Sequence, residues 1–175
     1  MDKGRRRLFG GRVREGVPVR PPWSQSEDRF TELCTRCDDC VSACPSHIIR
    51  RGDGGFPEVD FSNAACTFCE ECVRVCKTGA LVKTEASAPW GVVASIGDAC
   101  LAKQKVECRI CGEACDAGAI RFRPTLGGVA LPELDDASCT GCGACVATCP
   151  AHAIECRLPA AARSIPVNLS PLETS

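Results

Sequence analysis

Residues 34–45 read CTRCDDCVSACP and residues 139–150 read CTGCGACVATCP. Both place cysteines at steps of three, three and four and close with proline: Cys34, Cys37, Cys40, Cys44 and Pro45, then Cys139, Cys142, Cys145, Cys149 and Pro150. Three thiolates at three-residue steps lie on a loop that wraps three irons of one cubane, while the fourth, beyond a longer gap, points away to a second cluster. Zinc wants four ligands in one closed tetrahedral set, commonly two separated pairs. The triple step fits that poorly, and the spacing reads as iron–sulfur ligation.

Cys66, Cys69, Cys72 and Cys76 repeat the spacing with Lys77 in place of proline. A fourth set is irregular. Cys108, Cys111 and Cys115 hold the second, third and fourth places, but Lys105 stands where the first cysteine is due, and Cys100 is the nearest substitute. A longer loop from Cys100 still lets a thiolate reach the cubane; the alternatives are a vestigial site or a cluster missing one iron. Three [4Fe–4S] clusters are therefore expected from the regular sets and a fourth from the irregular one. Cys156 belongs to no set and reads as a small buried hydrophobe.

The sets belong to an internal repeat of about 70 residues. CTRCDDCVSACPSHII, GGFPEVDFSNAAC and CTFCEECVRVCKTGAL in the first half answer to CRICGEACDAGAI, GGVALPELDDASC and CTGCGACVATCPAHAI in the second. An aliphatic residue follows every fourth cysteine at the same distance, Ile49, Leu81, Ile120 and Ile154, placed to cover a cluster and limit solvent. His47 and His152 take equivalent positions and read as turn residues, since every ligand place is filled by cysteine.

Composition agrees. Seventeen of 175 residues are cysteine, an odd number grouped at close fixed spacing, which suits clusters better than disulfides. Without them the apolar fraction falls to about 35%, below the usual range, and there are only six Phe and two Trp. Ligation must supply what the thin core lacks, so the iron-free chain is expected to be largely unfolded. Residues 1–20 carry seven basic residues against two acidic, a net +5 that leaves −6 for the rest. That segment reads either as a solvated tail or as a basic arm for a partner, with Arg5, Arg6 and Arg7 as candidate contacts. Arg5-Arg6-Arg7-Leu8-Phe9 looks like a twin-arginine export motif, but no apolar stretch follows it, and no run is long enough to span a bilayer. A cytoplasmic location and no membrane insertion are expected.

The resulting division is a basic Arg- and Pro-rich arm over 1–30, with order beginning near Cys34, one module over 31–81, a linker over 82–99 punctuated by Pro89, Gly91 and Gly97, a second module over 100–158, and a tail over 159–175. The fold class is a small α+β one with brief strand pairs and helices of one or two turns. No phosphate loop, nucleotide fingerprint or nucleophile with a placed base is present, so no catalytic residue and no enzyme activity are expected. Nucleic acid is disfavoured as a partner by the acidic body.

The cysteine runs are those of bacterial ferredoxins, and the modules are ferredoxin-like. Together with RRRLF, RPPW, CTFCEECVRVC and the irregular CRICGEACDAGAIRFRP, the whole chain resembles the NapF family of ferredoxin-type proteins of the periplasmic nitrate reductase system. Ferredoxin-type wiring implies exchanged fourth ligands. Cys76 then serves Cys34, Cys37 and Cys40; Cys44 serves Cys66, Cys69 and Cys72; Cys149 serves the irregular set; Cys115 serves Cys139, Cys142 and Cys145. The family implies a cytoplasmic accessory protein that binds the catalytic molybdenum subunit, NapA, before its export and assists assembly of that subunit's own [4Fe–4S] cluster. The competing reading is an electron-transfer subunit of an oxidoreductase.

Overall fold

In the computed structural model, which describes residues 18–85 and 87–158, the secondary structure is short and the cysteine loops shape it. The helices are α1 (Glu27–Leu33), α2 (Asp39–Ala43), α3 (Glu71–Arg74), α4 (Ile110–Glu113) and α5 (Ala144–Ala147). In each regular set the chain turns left-handed twice before its helix, at Arg36 and Asp38, at Phe68 and Glu70, and at Gly141 and Gly143, with φ between 53° and 81°. These turns draw the three close cysteines around one point and feed α2, α3 and α5. Four of the six residues are not glycine, at a cost of roughly 1–2 kcal/mol each. The irregular set lacks this device: α4 is entered from Arg109 at φ −131°, and the chain leaves Cys100 through turns closed by Gln104 N–H to Cys100 O and Val106 N–H to Leu101 O.

A left-handed residue also follows each fourth cysteine by three positions: His47, Gly79, Gly118 and His152. The His47 and His152 amides donate to the Cys44 and Cys149 carbonyls, 3.1 Å each, so both histidines are turn residues. Each turn delivers the chain to the aliphatic position, and Ile49, Leu81, Ile120 and Ile154 are all buried.

Those four residues also start or hold the sheets. Strand β1 (Ile49–Arg51) pairs antiparallel with β2 (Pro57–Val59), Ile49 opposite Val59. Strand β4 (Ile120–Arg123) pairs with β5 (Leu131–Leu134) in the equivalent way, Ile120 opposite Leu134. Strand β3 (Val93–Ile96) pairs with β6 (Ile154–Arg157), Ile96 opposite Ile154 and Ala94 opposite Cys156. In the first half the counterpart of this last sheet is a single bridge, Ser24 to Leu81.

Two expectations about order change here. Residues 18–30, read as part of an arm, pack on the first module: Pro21, Pro22 and Phe30 are the largest fully buried side chains. The Val59 amide donates to Val19 O and the Val82 amide to Trp23 O. Arg20 is not a free arm charge, since it pairs with Glu27, donates to Pro57 O and lies over the Phe30 and Phe56 rings. The reason is that a stiff extended segment is pre-shaped to lie along a sheet edge and loses little freedom in doing so. Likewise the stretch read as a linker supplies β3, whose pairing with β6 completes the second half. Arg5, Arg6 and Arg7, and the tail 159–175, lie outside the described residues.

The halves meet at Trp90. Its ring stands edge-on to Phe61 and Phe68, and its Nε1–H donates to Thr140 O at 2.9 Å. Beside it the Cys66 amide donates to Cys142 O at 2.8 Å. A Cβ on Gly143 (φ +81°) would fall 2.1 Å from the Phe61 ring. Gly143→Val is therefore expected to destabilise the loaded protein by about 2–4 kcal/mol, from the left-handed backbone and the overpacking together. A lower midpoint in anaerobic guanidinium unfolding checks this.

Candidate functional site

The cysteines gather around hollows, and the grouping crosses the sequence runs. Cys44 lines one hollow with Cys66, Cys69 and Cys72, at its rim with Ile49 and Trp23. Cys115 lines another with Cys139, Cys142 and Cys145, under Ile120. Cys100, Cys108, Cys111 and Cys149 line a third, walled by Ile154, Phe122 and Leu101. The three hollows are of nearly equal size. The remaining thiols form the fourth group, with Cys34, Cys37 and Cys76 all close enough to act on Cys40. In every case the fourth cysteine of one run stands with the first three of its partner run, because the turn after each short helix points it across the module. Cys100 takes the place that Lys105 vacates.

Burial dominates the electrostatics. It pushes Cys40, Cys66 and Cys111 up to about 11 and Cys72 up to about 12, and neighbouring thiols add to each rise. For Cys66 those neighbours include Cys142 of the other half. Cys76 is also raised by burial, but hydrogen bonds from the backbone of Leu81, Thr78 and Ala80 and from the Thr78 hydroxyl outweigh it and bring it below the usual thiol value. Four thiolates crowded around a dry hollow repel one another until a cationic core stands among them, and loading then releases their protons.

The donor set fits a [4Fe–4S] cluster. Among the described residues no three His, Cys, Asp or Glu side chains converge as tightly as a single metal ion requires; the thiols instead ring a hollow, as ligands to the corners of a cubane do. The buried Trp23 Nε1–H has no partner among protein atoms, an unmet donor on a residue that lines the Cys44 hollow. Backbone donors already reach sulfurs beyond Cys76, with Phe68 N–H to Cys66 Sγ at 3.4 Å and Ala153 N–H to Cys149 Sγ at 3.3 Å.

Two residues here take part in more than the sequence showed. Cys156 packs against the core as a partly buried apolar residue, and it also lines the Cys115 hollow beside Cys145. Trp23 read as part of an extended arm. Ile154 and Cys156, two apart on one face of a strand, carry the signal for the first.

Comparison with known proteins agrees with this geometry. The 4Fe-4S dicluster domain family matches residues 33–80 and 106–155. The chain is 46% identical over 155 residues to the ferredoxin-type protein NapF of Escherichia coli strain K12, covering 88% of this chain and 94% of that one. It is 49% identical over 138 residues to the ferredoxin-type protein NapF of Haemophilus influenzae, covering 79% and 78%. It is 31% identical over 152 residues to the methylamine utilization ferredoxin-type protein MauM of Methylorubrum extorquens, covering 77% and 69%. With its two 4Fe-4S dicluster domains and this identity along most of its length, the chain belongs to the NapF family of ferredoxin-type iron–sulfur proteins.

Proposed function

We propose that the four thiol groups are the ligand sets of four [4Fe–4S] clusters: Cys34, Cys37, Cys40 and Cys76; Cys44, Cys66, Cys69 and Cys72; Cys115, Cys139, Cys142 and Cys145; and Cys100, Cys108, Cys111 and Cys149. A bound cluster of this kind supplies reversible one-electron storage. The chain's own residues shape that chemistry: Ile49, Ile120 and Ile154 keep water from the hollows, and backbone amides donate to Cys66 and Cys149. The protein then serves as an accessory factor in the cytoplasm that binds the catalytic molybdenum subunit of periplasmic nitrate reductase and assists insertion of that subunit's [4Fe–4S] cluster before export. The family membership supports this reading. The observation that carries it is exposure: Cys37 and Cys69, one thiol from each set of the first half, stand at the surface, where a partner reaches them and iron is loosely held. Arg5, Arg6 and Arg7 are proposed to guide the encounter electrostatically, so added salt weakens it.

An electron-transfer role is the second reading, favoured by the direct contact of the inner sets through Cys66 N–H and Cys142 O. The two separate in cells with and without the protein, by the iron content of the catalytic subunit and its nitrate reduction with an artificial donor. Under-loaded, inactive subunit is expected without the protein. Fully loaded subunit that reduces nitrate from the artificial donor but receives no physiological electrons would replace maturation with electron delivery.

A further inference from the structure

Trp23 is 7% exposed and borders the hollow of Cys44, Cys66, Cys69 and Cys72. Its indole Nε1–H is buried, and among the described residues no oxygen, nitrogen or sulfur accepts from it. A buried indole N–H ordinarily has an acceptor, and leaving it unmet is costly. The position is firmly held. Two fully buried prolines, Pro21 and Pro22, lead into it. Trp23 itself takes a left-handed backbone, φ 59°, which a bulky residue adopts only where its surroundings hold it there. Its amide donates to Pro89 O at 2.6 Å, its carbonyl accepts from the Val82 amide, and the Lys83 ammonium, paired with Glu70, stands 5.5 Å from the ring centre. The second half has no equivalent. Its Ile96–Ile154 pairing corresponds to Ser24–Leu81, which puts Ser95 in the place of Trp23, and no tryptophan borders the hollow of Cys115, Cys139, Cys142 and Cys145.

We infer that Trp23 Nε1–H donates to an inorganic sulfide of the [4Fe–4S] cluster held by Cys44, Cys66, Cys69 and Cys72, and that this bond keeps the cluster at a higher reduction potential than it would have without it. The four ligand sulfurs do not accept from the indole, so the sulfides are the acceptors that a cluster in this hollow adds. One-electron reduction makes the cluster more negative, and part of that charge falls on its sulfides. A hydrogen bond there stabilises the reduced state more than the oxidised one. The donor is neutral and fixed in place, so the effect does not depend on a proton being gained or lost.

The inference rests on the reading that this set holds a cluster. The full chain, reconstituted anaerobically and isotope-labelled at the indole nitrogens of its two tryptophans, is compared with Trp23→Phe and Trp90→Phe. Iron counting, redox titration and pulsed electron paramagnetic resonance of the reduced state are the readouts. A coupling from an indole nitrogen to a reduced cluster is expected in the wild type and in Trp90→Phe, since the Trp90 N–H is already taken by Thr140 O. It should be missing in Trp23→Phe. In that variant the reduced-to-oxidised ratio of one cluster at a fixed potential should be about tenfold lower, a fall of about 59 mV for a one-electron couple. Water entering beside the smaller ring would shift it the other way, because polar surroundings favour the more negative state. An unchanged or raised potential therefore overturns the inference. So does a wild type with no indole coupling, as an indole bonded to a buried water would give, or a coupling that persists in Trp23→Phe and is lost in Trp90→Phe. Should Trp23→Phe take up less iron, the coupling in the wild type and in Trp90→Phe decides alone. Iron left unchanged by Cys72→Ala would instead show that this set holds no cluster and overturn the underlying reading.

Discussion

Stripping the iron from the anaerobically purified chain is expected to unfold it, with loss of most far-ultraviolet and all near-ultraviolet circular dichroism. The five α-helices among the described residues run from four to seven residues, well short of the roughly 12–15 at which an isolated helix becomes marginal in water. The three sheets among the described residues are two-stranded, with strands of three or four residues, and such pairs do not persist alone. About half of the buried apolar side chains that would have to hold these pieces are small or are thiols: Ala80, Ala94, Ala102, Ala119, Ala130 and Ala153, beside Cys44, Cys72, Cys111, Cys145 and Cys149. Removing the clusters also leaves the thiols facing hollows where there had been bonded atoms. Ligation of a structural metal contributes on the order of 10 kcal/mol in small metal-dependent domains, which exceeds what the remaining core can supply. A stripped chain that kept its near-ultraviolet signal and a sharp thermal transition would show that side-chain packing alone specifies the fold.

What was legible in the sequence follows from that dependence. The regular spacing of the cysteine runs, the repeat and the covering residues Ile49, Leu81, Ile120 and Ile154 were readable because cluster geometry demands fixed short spacings, and short spacings are local. Residues 18–30 and 82–99 were misjudged because Pro, Gly and lack of periodicity describe an extended chain without saying whether it has a partner. Ser24 and Val93–Ile96 find theirs in Leu81 and β6, pairings across tens of residues. Cys156 was hidden for the same reason: its register opposite Ala94 decides which hollow it enters. The contact of Cys66 with Cys142, and Trp90 between the halves, likewise depend on how two modules meet, which no spacing within either module encodes.

Crossed ligation predicts which pairs of cysteine losses coincide. Four loaded clusters hold about 16 irons per chain, and Cys100→Ala, Cys139→Ala or Cys149→Ala singly should each leave about 12. Cys100 and Cys149 line one hollow, and Cys139 and Cys145 another. The double variant Cys100→Ala/Cys149→Ala should therefore also retain about 12 irons, since both changes empty the same set. Cys139→Ala/Cys149→Ala should fall to about eight, although those two residues belong to one sequence run. The opposite order, about eight for the first pair and 12 for the second, would mean that each run closes on its own cluster and that Cys115 and Cys149 do not cross. Unchanged iron in Cys100→Ala would remove Cys100 from the ligands and return the irregular set to three thiols. The first half, with its two regular sets untouched, serves as the internal standard, so a total below about eight irons in any of these variants would mark loss of the fold rather than loss of a ligand.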